Sequence, residues 1–142
     1  MVEAFLPQAV DHFQVHHLVL GGDSAGGRVP RYRAADYRLL SQATDYINAK
    51  MTEPLQIGAL CSELGTNWRA LEHAFTRLLG VTPKRYLQLA RLARARRLLV
   101  QSRQSTLTVS EIAYRCGIDH LGRFSQAYKT MYGELPSETR TR

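Results

Sequence analysis

Leu60-Cys61-Ser62-Glu63-Leu64-Gly65, followed by Leu71, Phe75, Gly80 and Pro83, and Ile112-Ala113-Tyr114-Arg115-Cys116-Gly117, followed by Phe124, Tyr128, Gly133 and Pro136, are two copies of one pattern. Up to the glycine the copies are offset by 52 positions (117 minus 65). Beyond it the offset is 53 (124 minus 71, 136 minus 83), so one extra residue falls in the second turn. Each copy reads as a short helix, a glycine suited to left-handed geometry, and a second helix with apolar residues four apart. Two copies separated by a long basic segment make a duplicated module, not a solenoid. The fold class that follows is all-α, with two tandem helix-turn-helix subdomains joined by a long linker helix.

Outward from the repeats, helical periodicity begins near Asp36, a candidate N-cap, and carries Leu39, Leu40, Ala43, Tyr46 and Ile47 on one stripe until Glu53-Pro54. The first helix-turn-helix spans about 56–80, with Asn67 capping its second helix and Leu71, Ala74, Phe75 and Leu78 facing inward. Gly80-Val81-Thr82-Pro83 ends it, and Pro83 suits the first position of the next helix because its missing N–H has no intrahelical partner there. That linker helix, about 83–101, buries Leu87, Ala90 or the stem of Arg91, Leu92, Ala95, Leu98 and Leu99. The second helix-turn-helix spans about 109–133, with Asp119 as the expected cap of its second helix. Pro136 opens a last short helix, bringing the count to about seven. Residues 1–34 read as a docking tail or the remnant of an upstream domain: His12 to Leu20 as a short strand or helix, then a glycine-rich linker.

The chain has 142 residues, with 19 Lys and Arg against 12 Asp and Glu, a net charge of +7. The excess is concentrated: between Leu64 and Arg103 nine basic residues face one acid, Glu72. A polyanionic partner fits this balance. Cys61 and Cys116 lie in the apolar rows of the two first helices and read as reduced core residues. No apolar run reaches the length of a membrane span, and no secretory signal is evident, so a cytoplasmic, nucleoid-associated protein is expected.

A helix with its side chains matches the width of the DNA major groove, and a helix-turn-helix holds its second helix there. With Leu71, Phe75, Phe124 and Tyr128 turned inward, Trp68, Arg69, Glu72, His73 and Thr76 remain outward in the first reader. Leu121, Gly122, Arg123, Ser125, Gln126 and Lys129 remain in the second. Arg pairs with guanine, Gln with adenine and Glu with cytosine. On this reading Arg69, Glu72, Arg123 and Gln126 are the candidates for base contacts, and His73 and Trp68 are less clearly placed; His73 joins the base set by family resemblance. Phosphate or positioning contacts are assigned to Asn67, Trp68, Thr76, Lys84, Arg85, Arg97, His120, Ser125 and Lys129, the linker arginines supplying register.

Residues Tyr37 to Arg140 resemble the DNA-binding domain of the AraC/XylS family of bacterial transcription regulators. The resemblance is carried by Leu60-Cys61, Gly65, Leu71, Phe75, Gly80-Val81-Thr82-Pro83, Arg91-Leu92, Ala95 and Leu98-Leu99. It continues through Ile112 to Ile118, Phe124-Ser125-Gln126, Tyr128-Lys129, Gly133 and Pro136-Ser137. It implies seven helices, promoter binding by two readers and recruitment of RNA polymerase. By matching position it puts base contacts on Arg69, Glu72, His73, Gly122 and Gln126; Gly122 has no side chain to offer, and Ile118 stands where the family usually has Phe. It also implies an N-terminal ligand-sensing or dimerising domain, for which residues 1–34 are too short, so an effector is not assigned. The chain reads as a piece of a longer regulator or a small member without a sensor.

Two other functions compete. His12, His16 and His17 have the helical spacing of a zinc pair, but no third ligand or intervening Glu accompanies them, and no phosphate loop or nucleophile elbow appears. Neither catalysis nor a cofactor or metal is expected. The basic amphipathic linker helix could instead serve a membrane surface or protein partner. Its apolar stripe is already required between the repeats, which favours double-stranded DNA.

Overall fold

Among the residues that the structure describes, 34–142 of a computed structural model, there are seven helices and no strand. The expectations for the short strand or helix, the glycine-rich linker and the histidine trio of the tail lie outside the described residues. Helix α1, Ala34–Lys50, buries Leu40, Ala43, Thr44 and Ile47, a stripe of three- and four-residue steps, against α3, Trp68–Leu79. Asp36 is not its cap: the helix starts two residues earlier, and Asp36 sits inside the first turn. There a carboxylate still favours the positive end of the helix dipole. Between them, α2, Ile57–Glu63, contributes Leu60 and Cys61 to the same core.

Helix α4, Pro83–Gln101, opens on the expected proline, with the Thr82 hydroxyl accepting from Arg85 N at 3.1 Å. Its buried row is wider than the sequence suggests, because Tyr86 and Leu89 are buried as well. The reason is that α4 belongs to two cores. Its first half, Tyr86, Leu87, Leu89 and Ala90, packs with α1, α2 and α3, and the Tyr86 ring meets Phe75 edge-on at 5.5 Å. Its second half, Leu92, Ala95 and Leu99, packs with α5, Val109–Arg115, and α6, Leu121–Tyr132. Met131 of α6 touches both cores. At about 1.5–3 kcal/mol for each large apolar side chain fully buried, the two halves of α4 hold the lobes together more strongly than any surface pair could.

Helix α5 carries a capping box: Thr108 Oγ1 accepts from Glu111 N at 3.2 Å, while the Glu111 carboxylate accepts from Thr108 N at 2.6 Å. The last helix, α7, Pro136–Thr141, lies against α4, α5 and α6.

Candidate nucleic-acid interface

Both copies end their first helix in the same way. Gly65 (φ 61°) and Gly117 (φ 74°) adopt left-handed geometry, and the next residue closes a six-residue ring, Thr66 N to Cys61 O and Ile118 N to Ala113 O, each at 3.0 Å. These bonds satisfy carbonyls that the helix leaves open. Four residues then separate Glu63 from Trp68, but five separate Arg115 from Leu121. The inserted residue changes the cap. In the first copy Asn67 Oδ1 accepts from Ala70 N at 2.9 Å. In the second the cap position falls to His120, whose side chain makes no cap bond, and Asp119 is pushed one residue outward, 3.9 Å from His120 Nε2. The expected Asp119 cap is therefore corrected.

Helices α3 and α6 have 12 residues each and end on Gly80 and Gly133, both left-handed. Leu71, Ala74 and Phe75 are buried in one, Phe124 and Tyr128 in the other. Trp68, Arg69, His73 and Thr76 are exposed on α3, and Asn67 is exposed before it; Glu72 is half-buried. On α6, Arg123, Gln126 and Lys129 are exposed, His120 precedes them in solvent, and Ser125 is half-buried. The Thr76 hydroxyl donates to the Glu72 carbonyl at 2.7 Å, so a phosphate contact from Thr76 requires that bond to be given up.

Lys84, Arg85 and Arg97 are exposed on α4. Arg85, Gln88 and Arg91 face His120, Arg123 and Ala127 across an open cleft of about 260 Å³ that also contacts the second turn. Three of the assigned residues, Arg85, His120 and Arg123, are thus brought together, and the assigned residues of α3 lie outside this cleft.

The linker arginines are not a uniform phosphate-binding row. Arg91 Nε donates to Met51 O at 2.9 Å and its Nη2 to Glu53 O at 3.0 Å, tying α4 to the loop after α1. Burial pushes the Arg91 pKa down, against the opposing pull of Asp119 and Cys116. Arg96 pairs with Glu134 at 3.3 Å and lies 4.4 Å from the centre of the Tyr132 ring. Burial raises the Cys116 thiol to about 11 although Arg94, Arg97 and Arg91 surround it, so the thiol stays protonated.

Glu134 was not legible as a centre of contacts. It also pairs with Arg142 at 2.9 Å and accepts from the Thr139 hydroxyl at 2.6 Å, and Thr139 in turn meets Tyr128 Oη at 2.8 Å. Arg103 and Arg140 add bonds to the Thr139 and Ser105 carbonyls, 3.2 and 2.9 Å. This network fixes α7 beneath α6. Arg91 did leave a sequence signal, since an arginine stood in the apolar row of Leu87 and Ala95.

Residues 60–142 match the helix-turn-helix domain family. A probable AraC family transcriptional regulator from Rhodopseudomonas palustris superposes with a TM-score of 0.68 at 34% identity, covering 74% of this chain and 96% of its own. The chain belongs to the AraC/XylS family. A transcriptional regulator with an AraC-type DNA-binding domain from Chromobacterium violaceum superposes with a TM-score of 0.67 at 30% identity, over 76% of this chain and 94% of its own. The probable thc operon regulatory protein of Rhodococcus erythropolis is 38% identical over 96 residues, which are 68% of this chain and 29% of that protein. This AraC/XylS chain therefore spans less than a third of that relative's length.

In AraC/XylS terms the seven described helices are an AraC-type domain, two helix-turn-helix units sharing α4. No described helix is long and apolar enough to cross a membrane.

Proposed function

We propose that this AraC/XylS chain binds double-stranded DNA sequence-specifically, lays α3 and α6 in two successive major grooves, and regulates transcription from the bound promoter. The observation that supports the reading best is the pair of equal, 12-residue helices held on one shared helix, each with polar side chains left in solvent. At 1.5 Å per residue the 19 residues of α4 extend about 28 Å, near the ~34 Å between major-groove openings on one face of DNA. A modest bend in the duplex takes up the difference.

Arg69, Glu72 and His73 read bases in one groove, and Arg123 and Gln126 in the next. Asn67, Trp68, Thr76, Lys84, Arg85, Arg97, His120, Ser125 and Lys129 hold phosphates or set the register. RNA polymerase is the expected protein partner, the nucleoid in the cytoplasm the expected location, and the chain acts by binding, without catalysis. Selection of duplexes from a random pool by the purified chain tests this. One extended site with two elements about 10 base pairs apart, bound with a steep negative salt dependence, supports it. Equal binding to all sequences, or binding to anionic vesicles and not to duplex, sinks it.

A further inference from the structure

Five large apolar side chains are exposed among the described residues: Trp68, Val100, Tyr114, Leu121 and Leu135. Two of them hold the same place in the duplicated module. Trp68 is the first residue of α3 and Leu121 the first of α6, at the same 53-residue offset that relates the two helices (121 minus 68). They are 45% and 41% exposed, whereas the inward anchors of the same helices are nearly or wholly buried. Neither packs into a core, and Leu121 has no hydrogen bond to offer a phosphate or a base edge. Next to Leu121, a Cβ added to Gly122 would meet nothing within 4 Å, so the leading turn of α6 presents an apolar group with open space beside it.

The first turn of a groove-bound helix is the part that reaches base edges. The major groove offers one apolar group among its donors and acceptors, the C5 methyl of thymine. We propose that Trp68 and Leu121 are paired specificity determinants, each packing on a thymine methyl at the leading edge of its half-site. In α6 this contact takes the place of the polar one that Gly122 cannot make. The proposal rests on the DNA-reading function above, moves Trp68 from a register-setting contact to a base contact, and names part of what is read.

Deoxyuridine, which lacks only that methyl, is substituted for each thymine of the selected site, one position at a time. With the full chain, one position in each half-site should lose about three- to fivefold in affinity, the effect of one buried methyl. Leu121→Ala should remove the loss in the α6 half-site alone, and Trp68→Ala the loss in the α3 half-site alone, both with wild-type melting curves. Leu121→Gln, which keeps the bulk but adds an amide, should move the preferred base away from thymine. A selected site without thymine under the helix tips, no loss at any deoxyuridine, or the same loss in variant and wild type overturns the proposal. Failure to select any site would remove the DNA-reading function itself, a result distinct from a selected site indifferent to the methyl.

Discussion

Arg91 Nε reaches across the molecule to the carbonyl of Met51, 40 residues earlier, at 2.9 Å. Arg91 stands between the halves of α4 that serve the two cores, and the carbonyl it holds lies against Gly117 of the second turn. The loop after α1, the shared helix and the second turn thus meet at one guanidinium, which sets how one reader sits relative to the other.

Arg91→Ala should cost about 1–3 kcal/mol, because two carbonyls lose a charged donor. Denaturant unfolding measures it, and Arg91→Lys should restore part of the loss. On a selected two-element site the alanine variant should also tolerate insertion of a base pair between the elements better than wild type. An unchanged unfolding midpoint would show that these bonds contribute nothing.

Gly65 and Gly117 are equivalent positions with different surroundings. Gly65→Ala should cost about 1–2 kcal/mol for a side chain in left-handed geometry, since its Cβ meets nothing within 4 Å. Gly117→Ala should cost clearly more, its Cβ falling 2.5 Å from Met51 O. Equal losses in thermal unfolding would contradict the tight approach at Gly117.

Phe124, 3% exposed and edge-on to Tyr128 at 5.7 Å, anchors the second core. Phe124→Ala should destabilise by about 3–5 kcal/mol through the cavity it leaves. A wild-type melting curve would refute the packing assignment.

The Thr139 hydroxyl holds the Glu134 carboxyl below the ordinary carboxylate range; burial opposes it, and Arg142 and Arg96 add smaller downward pulls. A folded-state pKa below the unfolded one gives stability that is whole above the unfolded value and drains as pH falls through the folded value. Glu111, held down by the Thr108 N–H and hydroxyl, adds to the same acid limb. The melting temperature should therefore drop below about pH 5, and Glu134→Gln should start lower at neutral pH and fall less steeply. Parallel curves for variant and wild type would dismiss the Glu134 contribution.

Arg69→Ala should reduce discrimination at one or two base pairs by about 1–3 kcal/mol. Lys84→Ala should weaken every duplex alike and lower the salt slope by about 1. Binding isotherms on matched and mismatched duplexes at several salt concentrations separate the two, and uniform weakening by Arg69→Ala would reassign it to the phosphates.

The helices, their order and the uneven turns were legible because each depends on a local constraint. Gly65 and Gly117 mark backbone that other residues adopt at a cost, Pro83 and Pro136 mark helix starts, and apolar residues at helical spacing mark buried faces. The one-residue offset even located the longer turn. It did not reveal that the insertion would move Asp119 off the cap and leave His120 there, since that depends on where α6 begins once Phe124 and Tyr128 are seated.

By itself the sequence determined the two modules, the shared helix and the rows of packing anchors, because backbone conformational preferences and periodicity act over a few residues. Only the tertiary structure decided which arginines are committed. Arg91, Arg94, Arg96 and Arg97 are neighbours in sequence, yet Arg91 ends on Met51 and Arg96 on Glu134, partners 40 and 38 residues away. Helical spacing says which side of α4 each occupies; the folding of distant segments onto that side supplies the acceptors.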